Sequence, residues 1–462
     1  MNKANGQKKN NNNHNHNHSH QKAWVVTVDM GYGHQRAAFP LKELAYGRKI
    51  INASNYLGMP RSDKALWRES KKFYEFMSRF KRVPLIGETA FNIYDKLQEI
   101  PNFYPKRDLS EPSKQLEQTI ELIKKREWGK HLIHTLDRQK IPLITTFFIP
   151  AYMAEVWGYS GDIYCVICDA DVSRSWAPLD PTQSKIKYFV PNYRVVERLK
   201  FYGVKAENIF LTGFPLANEN TGGRYLGNLR QDLSERLFHL DPKKFYISKY
   251  GSTIGERLGE KWPPPKPKGG PTLMFAVGGA GAQRELGVEI VKKLAGKIKA
   301  NKIKIILVAG IRNEVNQFFK KSVRLAGLGG QLGKNIKIIF GANTDEYFRK
   351  FNRALRQTDI LWTKPSELSF YTALGLPIII APPIGSQEDF NRKWLMTIGS
   401  GIDPDDVKYV DQWLFDWLDS GWFARAAMQG FMEAGKYGTY NIDKFIKHKL
   451  SEVKAVKMVL QY

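Results

Sequence analysis

Thr272-Leu-Met-Phe-Ala-Val-Gly-Gly-Ala-Gly-Ala-Gln283 is an apolar run of strand type that breaks into a glycine-rich turn. A Lys-rich helical stretch, Arg284 to Ala300, follows it. The same grammar then repeats. Strand-type runs at 304–309, 336–340, 359–362 and 377–381 alternate with helical stretches at 314–325, 344–356, 366–374 and from Gln387 onward. Strands alternating with helices specify a mostly parallel, doubly wound sheet.

Upstream the pattern has a first copy. Ala23-Trp-Val-Val-Thr-Val-Asp29 is β-rich and stops at Met30-Gly-Tyr-Gly-His34, and Arg36 to Tyr46 reads as a helix with Pro40 near its first turn. Strand-type runs recur at 141–148, 163–168, 186–190 and 208–213, separated by helical stretches that include 113–136 and 195–202. Between the copies, 217–271 is polar and Gly-rich and ends in Trp262-Pro-Pro-Pro-Lys-Pro-Lys-Gly-Gly-Pro271, which reads as an insertion or linker. The expected organisation is therefore a tail over 1–22, a Rossmann-like domain over 23–216, the insertion over 217–271, a second Rossmann-like domain over 272–400, and helices over 401–462 that pack back across both halves.

Composition sets the outer bounds. The 462 residues carry 71 Lys+Arg against 45 Asp+Glu, a formal net charge of +26, and 42% are apolar. That is globular composition, and the positive charge implies anionic partners: nucleic acid, an acidic membrane surface or phosphorylated small molecules. Cys165 and Cys168 form a lone Cys-x-x-Cys pair inside an apolar strand, which reads as buried core thiols in a reducing cytoplasm rather than zinc or redox chemistry. No stretch reaches the about 20 apolar residues that span a bilayer. The Asn- and His-rich first twenty-two residues read as a flexible or appended tail, not a secretory signal.

Three segments could carry chemistry, each following a strand where open α/β sheets bind ligands. In Gly31-Tyr-Gly-His34, the glycines permit close backbone approach and the helix start offers unpaired N–H groups to an anion. His34 and Asp29 are the candidate catalytic residues there, with Gly31 and Gly33 binding substrate; a tight turn with a capping His is the alternative reading. In the second segment, Gly278, Gly279, Gly281 and Gln283 suit a diphosphate. The spacing is not the dinucleotide fingerprint, which disfavours a nicotinamide cofactor. The third comprises Thr363-Lys-Pro-Ser-Glu-Leu368, Gly375-Leu-Pro377 and Pro382-Pro-Ile-Gly-Ser-Gln-Glu-Asp389 with Asn391. Thr363, Lys364, Ser366, Glu367, Gln387, Glu388 and Asn391 are its candidate binding residues, the last three suited to sugar hydroxyls. No metal cluster and no cofactor is expected.

Taken together, these segments resemble the GT-B glycosyltransferases, specifically the group of monogalactosyldiacylglycerol synthases, processive diacylglycerol glucosyltransferases and the peptidoglycan N-acetylglucosaminyltransferase (glycosyltransferase family 28-like). The resemblance covers most of 23–400. Val28-Asp-Met-Gly-Tyr-Gly-His-Gln-Arg-Ala-Ala38 is similar to that group's amino-terminal glycine-rich loop ending in His. The stretch from Val190-Pro-Asn192 to Thr212-Gly-Phe-Pro215 resembles the end of its first domain. Thr363-Lys-Pro365, Gly375-Leu-Pro377 and Gly385-Ser-Gln-Glu-Asp-Phe-Asn391 resemble its donor-sugar segment. The resemblance implies two Rossmann-like domains facing across a cleft, an inverting displacement, a nucleotide-sugar donor held mainly by the second domain, and His34 as base or acceptor-orienting residue. The family's ribose-binding acid falls at Phe370 here, and Glu367, a turn earlier, is the candidate substitute.

The acceptor side rests on 61–84, where eight basic residues face three acids. Leu66, Phe73, Met77 and Phe80 form a helical stripe flanked by Trp67 and Phe76. Such a helix suits an anionic bilayer, and in the resembled family this region faces membrane and lipid acceptor; packing of the stripe on the core is the other reading. The expected enzyme is thus cytoplasmic and peripheral on the inner face of the membrane, moving a sugar, from UDP in the first instance, to a lipid or other hydroxyl. Its rivals are a nucleotide-sugar epimerase of the same fold, a catalytically dead sugar-nucleotide sensor, and a basic nucleic-acid- or membrane-binding protein. Nucleic acid is disfavoured because no recognised binding motif is present.

Overall fold

β1 (Ala23–Thr27), β2 (Ala45–Asn52), β3 (Leu143–Thr145), β4 (Ile163–Val166), β5 (Ile186–Val190) and β6 (Ile209–Leu211) form one sheet in the order β2-β1-β3-β4-β5-β6. β7 (Thr272–Ala276), β8 (Lys304–Gly310), β9 (Ile336–Phe340), β10 (Ile360–Thr363), β11 (Ile378–Ile380) and β12 (Gly401–Ile402) form the other, ordered β12-β11-β10-β7-β8-β9. Every strand pair in both is parallel. The computed structural model describes residues 22–80, 99–265, 269–276, 283–383 and 386–448. Two doubly wound, Rossmann-like domains with the carboxyl ends of their strands at a shared cleft make this the GT-B architecture. Among the described residues no helix is long and apolar enough to cross a membrane.

The central strands are buried on both faces, as parallel sheets covered by helices require. Val25 and Val26 of β1, and Ile305 and Leu307 of β8, are fully buried. Cys165 and Cys168 are free, buried thiols.

Local differences from the expected elements have physical causes. Helix α1 starts at Tyr32 and ends at Ala38, because Pro40 closes it into a short 3₁₀ turn over Phe39–Leu41. The expected helix to Tyr46 is thus cut short, and β2 follows. The sequence conceals β2: Gly47 and Arg48 take positive φ (59° and 54°), and 46–49 are exposed at the sheet edge. Residues 367–374 form a 3₁₀ rather than an α-helix.

The segment 217–271, which reads as an insertion or linker, holds the helices Gly227–Leu240 and Phe245–Leu258. Leu229, Leu233, Leu237, Leu240, Ile254 and Leu258 enter the core of the second sheet. Arg236, 3% exposed, donates to the carbonyls of Thr358, Leu374 and Gly375 and ties the first of these helices to that domain.

The chain ends by returning to the first sheet. Helices Val410–Asp419 and Trp422–Glu433 pack on the second core through Trp413, Leu414 and Phe423. Helix Gly438–His448 then lays Ile442, Phe445 and Ile446 against Tyr164, Phe189 and Phe210. The Phe445 ring lies 4.4 Å from that of Phe210 and 5.5 Å from that of Phe189. Phe445→Ala should remove about 3 kcal/mol, the transfer and cavity cost of a buried ring. Amide exchange of β4 and β5 measures it, since the first sheet should open more readily while the second keeps its protection.

Candidate functional site

Between the two sheets lies a cavity of about 400 Å³. The first domain lines it with Gly31, Tyr32, Gly33, His34 and Arg36 after β1, Phe147 and Phe148 after β3, and Asp169 after β4. The second contributes Thr363, Lys364, Ser366 and Glu367 after β10, and Gln387 and Glu388 after β11. Trp67 of helix α2 (Arg61–Phe80), Trp128 and Trp176 complete an aromatic wall on the first-domain side.

His34 sits in α1 directly behind the turn. Gly31 makes the turn at φ 94°, a conformation only glycine adopts without strain. The His34 Nδ1 lies 2.7 Å from the Thr146 carbonyl, which can only accept; Nδ1 therefore carries the proton and Nε2 keeps the lone pair. The ring packs 4.7 Å from that of Phe147. Burial pushes its pKa down to about 4, against the opposing effects of the Thr146 bond and the Glu367 charge. At neutral pH the imidazole is uncharged, the form a general base requires.

Arg36, two residues on, crosses the cleft. It is 4% exposed, and its guanidinium donates to the Glu367 carboxylate and the Tyr347 hydroxyl of the other domain. The rings of Phe351 and Phe348 lie 4.6 and 5.4 Å from its central carbon. Burial alone would lower its pKa; Tyr347 and Glu367 raise it above the ordinary value on balance, so Arg36 is a fixed cation. Gly33 belongs to the same junction, since a Cβ there would stand 3.1 Å from Glu367 Oε2.

Asn391 forms a second bridge. Its side-chain oxygen accepts from the Ala170 N–H at 2.7 Å, and its NH₂ donates to Asp169 at 2.9 Å and to the Pro365 carbonyl at 3.2 Å. Asp169 is pushed up to about 6 by burial, partly offset by the Asn391 bond and reinforced by Glu367 and Glu388.

The structure brings most candidates together but gives several of them other partners. Gly31, Gly33, His34, Thr363, Lys364, Ser366, Glu367, Gln387 and Glu388 all line the cavity. Asn391 does not: it is fully buried and its amide is spent on the interdomain bridge, so it is not available to a sugar hydroxyl. Asp29 also lies off the cavity; its carboxylate takes Lys71 at 2.5 Å and Gln35 at 3.1 Å, and the Thr146 carbonyl, not Asp29, orients His34. Glu367 is held by Arg36, Lys364 is ion-paired with Glu388, and the Thr363 hydroxyl donates to the Ala276 carbonyl at 3.2 Å. Gln283 donates to the Pro382 carbonyl at 3.0 Å and is not among the cavity-lining residues. Gly278, Gly279 and Gly281 lie outside the described residues, as do the side chains of Phe73, Phe76, Met77 and Phe80.

On α2, Trp67 is 3% exposed and packs edge-on against Trp128 with ring centres 4.8 Å apart. Asp63 accepts from the Gly129 N–H. This part of the helix therefore rests on the first core, while the stripe residues Phe73, Met77 and Phe80 lie outside the described side chains. Sequence reading missed Arg36, Asp169 and the aromatic wall. Asp169 had a usable signal, a carboxylate directly after an apolar strand run; Arg36 had none, because its partners lie 311 and 331 residues away. Among the described residues no group of three or more His, Cys, Asp or Glu could hold a metal ion.

Comparison with known proteins gives only a distant likeness. No family model and no curated protein matches the sequence. Solved structures similar to this chain include MurG of Acinetobacter baumannii, 12% identical at TM-score 0.42, covering 93% of this chain and 100% of that one. UDP-GlcNAc 2-epimerase of Neisseria meningitidis bound to UDP-GlcNAc is 10% identical at TM-score 0.41, covering 96% and 100%. UGT89C1 of Arabidopsis thaliana complexed with UDP-L-rhamnose is 11% identical at TM-score 0.42, covering 96% and 99%. At these scores the likenesses carry no residue assignment and no activity.

The buried Arg36–Glu367 pair gives a stability test. Arg36→Leu strands a buried carboxylate and should cost about 3–5 kcal/mol in urea unfolding; the Arg36→Leu/Glu367→Leu double variant should recover most of it. Simple additivity of the two single losses would show that the pair is not coupled. A second test follows from His34. Its folded pKa lies below that of the unfolded chain, so its contribution to stability is full above about 6.5 and is lost as pH falls toward 4. The wild type should therefore lose stability relative to His34→Gln over that window; parallel pH–stability curves would show that the ring titrates normally.

Proposed function

We propose that the protein is an inverting glycosyltransferase of hexosyltransferase type, moving a sugar from a nucleotide-diphosphate donor, a UDP-sugar in the first instance, to a hydroxyl acceptor. His34 carries this reading: an uncharged imidazole, held by the Thr146 carbonyl so that Nε2 is its basic nitrogen, lining a cleft opposite the polar residues after β10 and β11. In this reading the acceptor hydroxyl gives its proton to His34 Nε2 as its oxygen attacks the anomeric carbon, and the nucleoside diphosphate departs from the opposite face. Thr363, Lys364, Ser366, Gln387 and Glu388, with the Gly278–Gln283 segment, hold the donor, and Lys364 supplies positive charge to the departing group.

The aromatic wall of Trp67, Trp128, Phe147, Phe148 and Trp176 suits an acceptor with an apolar part, such as a lipid. The net charge of +26 and the basic residues of α2 favour action at the surface of an anionic membrane, with the protein peripheral on its cytoplasmic side. A second reading, a nucleotide-sugar epimerase, draws support from the three carboxylates Asp169, Glu367 and Glu388 that share the cavity with His34.

Calorimetric titration with UDP and a panel of nucleotide sugars, followed by transfer assays with acceptors in anionic vesicles, tests the proposal. Micromolar donor binding and acceptor-dependent release of UDP are expected. His34→Ala should lower turnover at least about 100-fold while leaving donor affinity within a few-fold. A fully active His34→Ala eliminates the base. Epimerised donor formed without acceptor selects the second reading, and no binding of any nucleotide rejects both.

A further inference from the structure

At the opposite edge of the second sheet, where its strands begin, lies another cavity of about 290 Å³. Thr272 at the start of β7, Lys304 at the start of β8, Asp359 just ahead of β10 and the helix Gly227–Leu240 enclose it. Five basic side chains line it, Arg236, Lys304, Lys334, Lys337 and Arg356, against three carboxylates, Asp232, Glu235 and Asp359.

Most of the acceptor capacity is already committed. Asp232 is bidentate to Arg356, both bonds at 2.9 Å. Asp359 accepts from the Thr272 N–H at 2.7 Å, and Glu235 accepts from the Gln231 amide. Among the described residues, Lys304, Lys334 and Lys337 are ion-paired with no carboxylate, and Lys337 donates only to Gln357 at 3.1 Å.

Deeper in, Arg236, 3% exposed, makes its carbonyl bonds through Nε and Nη1, while Nη2 makes none among the described residues and is not closed off from the cavity. A guanidinium held in this way is a ready donor to an anion, because its side chain is already ordered. What the cavity lacks is a compact group with several acceptor oxygens and negative charge.

We propose that this cavity binds a phosphate group, either inorganic phosphate or the phosphomonoester of a small soluble molecule. Arg236 donates to its oxygens from below, and Lys304, Lys334 and Lys337 supply charge from the rim. The site lies at the other end of the strands from the cleft and stands independently of the glycosyltransferase reading.

The test is calorimetric titration of the full-length protein, in chloride buffer, with inorganic phosphate and separately with glycerol phosphate, alongside pelleting on phosphatidate vesicles. Lys304→Glu/Lys334→Glu should weaken binding of the soluble anions more than tenfold. Lys364→Ala, in the interdomain cleft, should leave it within twofold. An unchanged melting curve shows that the charge-reversed variant is folded; Lys304→Gln/Lys334→Gln, which removes the two charges without reversing them and should weaken binding in the same direction, serves in its place if it is not. Absence of binding overturns the proposal, as does binding that Lys364→Ala abolishes and the lysine reversals spare. Capture by phosphatidate vesicles without any binding of the soluble anions also overturns it.

Discussion

Arg36 is a permanently charged side chain, enclosed by protein, whose counter-ion belongs to the other domain. Taking two charges out of water costs more than their attraction returns unless the geometry and the remaining hydrogen bonds are nearly complete. Here the Tyr347 hydroxyl and a cluster of aromatic faces supply much of the rest, although Arg36 Nε stays without a partner. Once formed, such a pair is difficult to break singly, because either partner alone becomes an uncompensated buried charge. The position of Glu367 over Gly33 follows from this contact, and the Ile311 N–H donating to the Tyr32 hydroxyl and the Lys42–Asp345 pair join the domains beside it. Asn391, which joins Ala170 and Asp169 of one domain to Pro365 of the other, reinforces it with uncharged bonds.

Much of the fold was legible because its signals are local. The run from Ala23 to His34 announces a strand, a turn and a helix by apolar content followed by glycine, and the second domain repeats that order several times. β2 was not legible: an exposed edge strand lacks the apolar run that marks a buried one, and Gly47 looks like a breaker. The helices within 217–271 were masked for a different reason. Leu226, Leu229, Leu233, Leu237 and Leu240 do recur at helical spacing, but a polar and Gly-rich background drew the eye to composition instead of period.

The site was legible in type more than in role. Ligands bind at the carboxyl ends of parallel strands, so residues just after β1, β10 and β11 could be nominated from sequence alone. Whether each side chain is left open to a ligand depends on tertiary partners, from a few to more than two hundred residues away. Asn391 has the chemistry to meet a sugar hydroxyl, yet it spends that chemistry on Ala170 and Asp169. Asp29 has the chemistry to orient a histidine, yet Lys71 and Gln35 take it, while a backbone carbonyl after β3 orients His34. No periodicity encodes such choices, because they are made by tertiary packing, within the first domain for Asp29 and His34 and between the two domains for Asn391.

The interdomain bridges also constrain how anything enters the cleft. Separating the domains would expose Arg36 and Glu367 and release Asn391 from Asp169. If opening stranded the charges in a partly dry interface, its cost would approach the about 3–5 kcal/mol of a broken buried pair, an open population of roughly 10⁻² to 10⁻⁴. If water followed the separating surfaces, both ions would be rehydrated and the cost would fall well below that. The cross-domain ion pairs divide between these two cases. Lys42 and Asp345, 2.7 Å apart and half-exposed, are already wet and separate at little cost, whereas Arg36 and Glu367 are caged. The resistance to opening is therefore concentrated at the caged pair inside the cleft and not at its margin.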